Sequence, residues 1–327
     1  MRILMIGAAG MVGRKLAARL AADGALGGWP IAELVGVDVA PAPAADPGSE
    51  PVRTVAADLA EPGVAAELIR ERPDVIVHLA AVVSGEAEAD FDKGYRVNLD
   101  AMRHLLEAIR LAGPGYVPRL VFSSSIAVFG PPVPDVIADD HLNAPATSYG
   151  TQKAIGELLL ADYTRRGFLD GVGIRLPTIC VRPGAPNLAA SGFFSNIIRE
   201  PLHGRPAVLP VSTEVRHWFA SPRAAVSFLV HAATMDTTPL GLRRSLTMPG
   251  LSATVGEEIE ALRRVAGDGA VALIRDEPDA AIAAMVDGWP RAFDARRATA
   301  LGFVAERDFD EIVRVYIEDE MGGAASA

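Results

Sequence analysis

RILMIGAAGMVGRKLAARLAA, residues 2–22, carries the reading on which the fold turns. Its opening, RILMI, is a nearly continuous apolar run, the pattern of a strand buried on both faces. From Met11 the apolar residues recur at helical spacing, with Arg14, Lys15 and Arg19 between them. Gly7, Gly10 and Gly13 form the turn that joins strand to helix. Such a turn lets backbone N–H groups approach a phosphate, and the helix N-terminus adds the positive end of its dipole. The spacing is GxxGxxG rather than GxGxxG. The strand–turn–helix context therefore carries the dinucleotide reading, against the alternative of a tight turn without a ligand. The same glycines and cations break the apolar run and argue against an export signal.

The pattern continues outward. AELVGVDV (32–39), VRTVAADL (52–59), DVIVHLAA (74–81) and RLVFSSS (119–125) read as further strands. Helical patterns separate them near 62–71 and 88–112, with a Pro/Ala-rich loop from Pro41 to Pro51. Apolar strands alternating with amphipathic helices predict a doubly wound parallel sheet, an α/β fold. A helix over 147–166 and a strand over 172–181 extend it. After Pro183 the chain becomes rich in Pro, Gly and short polar turns. This predicts a dinucleotide-binding domain over 1–180, rejoined by 215–245, and a smaller, discontinuous α/β substrate domain over 181–327. In that second region 223–234 reads as a helix, and Thr254 and Glu257 have capping-box spacing before another.

Composition narrows the function classes. The chain has 327 residues, half of them hydrophobic, and a formal net charge of −10. An acidic chain without basic clusters is a poor partner for nucleic acid or an anionic membrane. No apolar run is long enough to span a bilayer. Cys180 is the only cysteine, so no internal disulfide forms and no Cys/His zinc site is on offer. The expected location is the cytosol.

Asp38 ends the second strand, where an acid hydrogen-bonds the adenosine ribose hydroxyls. A carboxylate there repels a 2′-phosphate, and Val39, Ala40 and Pro41 offer no arginine to hold one, so NAD is favoured over NADP. Arg14 is the nearby cation that tempers this. Asp58 either faces the adenine amino group or caps its own loop. Ser123, Ser124 and Ser125 end the fifth strand, on the side of the sheet where such folds bind ligands. TSYGTQK (147–153) then opens a helix with Tyr149 and Lys153 one turn apart. Taken singly, each of these is ordinary. Their order, on one edge of the sheet, is specific.

GAAGMVG, the Asp38 strand end, HLAA (78–81), Asn98 in YRVNLDA, SSSIAVFG and YGTQK together resemble the extended short-chain dehydrogenase/reductase family, which includes NAD-dependent epimerases and dehydratases. The resemblance covers roughly the first 180 residues and implies a Rossmann-type fold that binds NAD. It implies Tyr149 as catalytic acid/base, Lys153 as its activator and Ser125 as the substrate-orienting donor, with Ser124 the other candidate hydroxyl. It extends the cofactor contacts to Met11, Val12, Leu59, Leu79, Ala80, Ala81, Asn98 and Pro177, besides the glycines, Asp38, Asp58, Tyr149 and Lys153. It also implies a homodimer through the helices near 88–112 and 147–166. The chemistry suits the spacing: a free tyrosine, with a pKa of about 10, is a poor base near neutrality, and a neighbouring ammonium favours its phenolate.

LPTICVRPGAPN (176–187), FFSNIIREPLHG (193–204), EVRHWFASPRAAV (214–226), MPGLSATVGE (248–257) and AAVVSGEAEADFDKGYRVN (80–98) resemble the D-erythronate dehydrogenase branch. That branch oxidises the C2 hydroxyl of four-carbon sugar acids to the 2-keto acid with NAD, so a small-molecule sugar acid is the implied substrate. A sugar acid needs a cation, and Arg182 and Arg216 are the candidates. Arg216 equally suits the pyrophosphate of a nucleotide-sugar, and Arg182 a structural ion pair. Ser84 is a further substrate candidate, against the alternative of a loop-capping serine, and Thr178 and Asn187 are others. His217 beside Trp218 reads as packed. Two rivals share the Ser–Tyr–Lys set: a nucleotide-sugar epimerase and a non-catalytic NAD-binding sensor. A dehydratase is disfavoured, because Ile126 and Ala127 follow Ser125 where that chemistry places an acid/base pair.

Overall fold

The computed structural model of the protein describes residues 1–40, 52–184 and 191–323. Asn187 and the Pro/Ala-rich stretch 41–51 lie outside the described residues. The chain packs as two compact units: Met1–Val128, Pro145–Arg175 and Val226–Leu246 form one, and Phe129–Ala144, Leu176–Ala225 and Thr247–Ala327 the other. The sequence reading put the change of unit near residue 180 and the return at 215–245. Here the change falls at Leu176, the return at Val226, and segment 129–144 packs with the second unit.

The first unit is built on a seven-stranded sheet. Its strand order is Ser245–Thr247, Asp170–Leu176, Arg119–Ser125, Val75–His78, Arg2–Ile6, Glu33–Asp38, Val52–Ala56. Arg2–Ile6 lies inside the sheet and pairs in parallel with Glu33–Asp38 on one side and Val75–His78 on the other. Chain order along the sheet reverses between Arg2–Ile6 and Val75–His78. A ligand crevice forms beyond the carboxyl ends of strands at such a reversal. The sheet is covered by amphipathic helices. Ala101–Leu111 buries Met102, Leu105, Leu106 and Ile109, one helical face, against Leu4, Ile6, Leu120 and Phe122. Each such side chain contributes about 2 kcal/mol by leaving water.

Two expected elements are broken. The helix expected over 88–112 runs as Ser84–Ala89, Phe91–Tyr95, a π-turn at Arg96–Asp100 and Ala101–Leu111. Asp90 leaves helical geometry, with φ −127° and ψ 89°, and its side chain accepts the Lys93 N–H as a new N-cap. The strand expected over 172–181 divides at Pro177 into Asp170–Leu176 and Thr178–Ile179, which join different sheets. Pro177 has no N–H to continue a ladder.

The second unit carries a three-stranded sheet, with Arg216–Ala220 parallel to Thr178–Ile179 and antiparallel to Leu251–Thr254. Its helix Val255–Val271 starts on the expected capping box: Glu257 N–H donates to Thr254 Oγ1 at 3.1 Å, and Thr254 N–H to Glu257 Oε2 at 2.6 Å. The next residue, Glu258, falls on the core stripe with Val255 and Leu262. It is fully buried and, among the described residues, neither carboxylate oxygen has a hydrogen-bond partner, so burial pushes its pKa well above the usual value. An acid raised in this way stabilises the fold below the unfolded carboxyl range near about 4.3, and that stability is lost as pH climbs toward its folded pKa. The slope is at most about 1.4 kcal/mol per pH unit. Glu258→Gln should remove it: between pH 5 and pH 8 the wild type should lose more urea resistance than the variant. Parallel losses would show that Glu258 folds ionised.

Candidate active site

The three glycines of the first turn have different causes. Gly7 has φ +92°, and a Cβ there would lie 2.5 Å from Ala80 N and 2.8 Å from Leu79 C. A Cβ at Gly13 would lie 2.3 Å from Gly7 O. Gly10 is the N-cap of the helix Met11–Asp23. The Gly7 and Ala8 N–H groups both donate to Val37 O, at 2.8 and 3.1 Å, while Leu79 and Ala80 N–H both donate to Ile6 O, at 2.8 and 3.1 Å. The turn is thus pinned between two strand ends. Arg14 N–H makes an early ladder bond, to Gly10 O at 2.9 Å. Ladder bonding of that kind leaves the N–H groups of Met11, Val12 and Gly13 pointing out of the helix start, toward where an anion would sit.

The acid expected beside this turn is there. Asp38 Oδ2 accepts the Ala9 N–H at 2.9 Å, and Oδ1 accepts Ala40 N–H at 3.2 Å. Arg14 folds back, its guanidinium donating to Ala9 O. Asp58 does the capping work allowed for it, accepting Ala60 N–H at 2.9 Å, and also pairs with Arg96 at 2.7 Å. Burial raises its carboxyl, and the Arg96 and Ala60 bonds outweigh that and hold it below its ordinary value. Leu59 beside it is buried. Asn98, in the π-turn, spends both ends of its amide on Val82, accepting its N–H at 2.9 Å and donating to its carbonyl at 3.1 Å. It also donates to Gln152 Oε1 at 2.7 Å. It therefore shapes the loop that follows Leu79, Ala80 and Ala81. Ser84 opens the short helix Ser84–Ala89 at the end of that loop and is half-buried.

Tyr149 and Lys153 lie in the first two turns of the helix Ser148–Arg165, capped by Thr147, whose Oγ1 accepts Gly150 N–H at 3.1 Å. A Cβ at Gly150 would lie 2.2 Å from Ala127 O, so glycine lets this helix start press on the backbone just past Ser125. Lys153 is buried; its Nζ donates to Ser123 O at 2.8 Å and stands 5.7 Å from the Tyr149 ring centroid. Burial pushes its ammonium down to about 8, with Glu157 working against this. Ser123 and Ser124 face inward: Ser123 donates to His78 O at 3.0 Å and Ser124 to Glu157 Oε1 at 2.6 Å. Ser125 is half-buried and accepts Ala127 N–H at 3.1 Å.

In the second unit, Pro177 is buried and Thr178 Oγ1 lies 2.7 Å from His217 Nε2. His217 Nδ1 meets Pro290 O at 2.9 Å, and a carbonyl only accepts, so Nδ1 carries the proton and Nε2 accepts from Thr178. Burial pushes His217 down to about 4 and Phe194 stacks on it, so it is packed and neutral. Arg182 donates to Ile179 O at 2.9 Å and to Ser191 Oγ at 2.7 Å. Arg216 donates to Ser252 O at 2.9 Å and pairs with Glu257 at 3.3 Å. Among the described residues no cluster of His, Cys, Asp or Glu could hold a metal, and no helix is long and apolar enough to cross a membrane.

Residues 3–237 match the NAD dependent epimerase/dehydratase family. The chain belongs to that family. It is 50% identical over 98% of its length, and 98% of the relative's, to a D-erythronate dehydrogenase of Cupriavidus necator. It is 42% identical over 98% of its length to one of Haemophilus influenzae, covering all of it. A crystal structure described as a nucleoside-diphosphate-sugar epimerase from Agrobacterium tumefaciens aligns with TM-score 0.96 and 62% identity, covering 100% of this chain and 96% of that one. With these relatives, the protein is an NAD-dependent dehydrogenase of the extended short-chain type, and NAD is its cofactor. The residues present fit that cofactor: a cradle that any Cβ at Gly7 or Gly13 would fill, helix-start N–H groups, and a carboxylate at the second strand's end.

Three buried polar residues that hold these candidates in place were missed by sequence reasoning: Gln152, bonded to Asn98, Glu157, bonded to Ser124, and Arg175, which grips Glu157. Glu157 was within reach, since Tyr149, Lys153 and Glu157 recur every four residues on one helix stripe. Gln152 and Arg175 carried no local signal, because their partners Asn98 and Glu157 lie far away in sequence. Asp38→Asn keeps an oxygen for the Ala9 N–H while removing the charge that opposes a 2′-phosphate. It should narrow the NAD over NADP preference in kcat/KM by about tenfold or more. An unchanged ratio would place the selector elsewhere.

Proposed function

We propose that this enzyme oxidises the C2 hydroxyl of a four-carbon sugar acid resembling D-erythronate to the 2-keto acid. The observation that carries this reading is the end-to-end similarity to two D-erythronate dehydrogenases. Tyr149, as phenolate, removes the proton of the C2 hydroxyl. NAD, when bound, supplies the hydride acceptor. The Lys153 ammonium favours the phenolate, and its bond to Ser123 O at 2.8 Å holds it in place. Ser125 donates to the oxygen that becomes the carbonyl. The choice of Ser125 over Ser124 is supported by the burial of Ser124 and its bond to Glu157.

We assign the substrate carboxylate to Arg216, with Ser84 and Thr178 reading hydroxyls. The Arg216 side chain is 38% exposed and its pair with the more exposed Glu257 is of the weak surface kind, so an incoming carboxylate competes for it. Arg182 is spent on Ile179 O and Ser191. Thr178 donates to His217, so its remaining role toward a ligand is to accept, which suits a hydroxyl and not a carboxylate. We also propose a cytosolic homodimer; exposed Phe91, Leu111 and Leu158, at 59, 69 and 70%, support an interface on those helices.

A second reading, nucleotide-sugar epimerisation, is favoured by the description of the 62% identical Agrobacterium structure. It shares Tyr149, Lys153 and Ser125, and net redox change separates the two. Purified protein with NAD and D-erythronate should form NADH, and D-threonate, L-threonate and a uronic acid should be slower. Tyr149→Phe should lower kcat about 100-fold or more with NAD binding nearly unchanged. No NADH from any acid would favour the epimerase; full turnover by the variant would remove Tyr149 as the base.

A further inference from the structure

A buried ionic layer lies behind Tyr149 and Lys153. Glu157, one turn beyond Lys153, accepts the Ser124 hydroxyl at 2.6 Å on Oε1. Arg175, from the strand Asp170–Leu176, grips the same carboxylate with Nε to Oε1 at 2.9 Å and Nη2 to Oε2 at 2.7 Å. The two side chains are only 5 and 8% exposed. Lys153 meanwhile holds the Ser123 carbonyl at 2.8 Å. Consecutive residues of the strand Arg119–Ser125 are thus tied to one helix at two points a turn apart, and Ser125 is the next residue.

We infer that Glu157, gripped by Arg175, is a positioning residue for the reaction: through Ser124 it keys Ser125 to the helix that bears Tyr149, and its charge keeps Lys153 an ammonium. The inference rests on the proposed roles of Tyr149, Lys153 and Ser125. Stability alone is a weak explanation for such a pair, because a buried ion pair often does no better than apolar residues of the same volume. The charge part follows from the groups that face Lys153. Its own helix supplies Tyr149 and Glu157, the strand Val75–His78 supplies His78, and Arg175 lies behind Glu157. His78 is fully buried with neither ring nitrogen bonded among the described residues, and burial with the Lys153 charge pushes it down to about 3, so it is neutral. Glu157 is therefore the anion of the group. Without its charge, the Arg175 guanidinium loses its anion and the Lys153 ammonium, no longer offset by Glu157, loses its proton at lower pH.

The chain has three lysines, Lys15, Lys93 and Lys153, so ¹³Cε-lysine NMR follows Lys153 directly, assigned by Lys153→Arg. In the full-length protein, Glu157→Gln should move the Lys153 midpoint down by about one pH unit. It should also lower kcat about 10- to 100-fold with KM for NAD within about twofold. Ser124→Ala keeps the charge, so it should lower kcat without moving the midpoint. Should Glu157→Gln fold poorly, Glu157→Asp should keep the Lys153 midpoint and lose kcat. An unmoved Lys153 midpoint in Glu157→Gln, or wild-type kcat in both Glu157→Gln and Ser124→Ala, overturns the inference. Tyr149→Phe run alongside separates the two readings: turnover surviving there sinks the proposed role of Tyr149, whereas the Lys153 titration judges Glu157 without any substrate.

Discussion

The backbone of Gly7 passes so close to Leu79 and Ala80 that no side chain fits between them. Much of the first unit depends on that approach. The Ile6 carbonyl takes the N–H groups of Leu79 and Ala80, and the Val37 carbonyl takes those of Gly7 and Ala8. Three neighbouring strands are thereby tied together at their carboxyl ends, where the order of the sheet reverses. The helix start of Met11–Asp23 then projects its N–H groups over that end, and Asp38 is held beside it by the Ala9 N–H. The helix start and the Asp38 carboxylate share that strand end because Gly7 carries no Cβ to hold the backbones apart.

Charge in the interior follows a second constraint. Lys153, Glu157 and Arg175 are nearly or wholly buried, and burying isolated ions costs several kcal/mol each. The cost is offset by a carbonyl for the ammonium and a two-point grip for the carboxylate. His78 and Glu258, without hydrogen-bond partners among the described residues, avoid charge instead, and burial also keeps His217 neutral although it bonds Pro290 O and Thr178. Arg199 and Arg244 are buried in ion pairs elsewhere, with Glu200 and Asp170, while Lys153, Glu157 and Arg175 lie together on the helix Ser148–Arg165 and the strand beside it.

Membership of the epimerase/dehydratase family, with D-erythronate dehydrogenases among the relatives, makes the chain a dehydrogenase but does not by itself fix its substrate. Discrimination has to come from substrate contacts. The candidates in the second unit differ in hydrogen-bonding character: Thr178 is committed as a donor to a neutral His217, Arg182 is turned onto its own backbone, and Arg216 rests in an exposed ion pair.

Features set by neighbouring residues were legible in the chain itself. The strand–turn–helix at 2–22, the acid at 38, the capping box at Thr254 and Glu257, and the Tyr149–Lys153 spacing all arise from local periodicity and backbone need. Pro177 was visible, yet its break was read through as one strand, because apolar residues continue on both sides and only the pairing shows that they serve different sheets. The helix over 88–112 was read as one for the same reason, until Asp90 took the cap and Asn98 its bonds to Val82 and Gln152. Tertiary structure alone distinguished Ser124 from Ser125, since the carboxylate that occupies Ser124 comes from Glu157, 33 residues on. Periodicity reports which face a residue takes. Which partner it finds there depends on segments that only folding brings together.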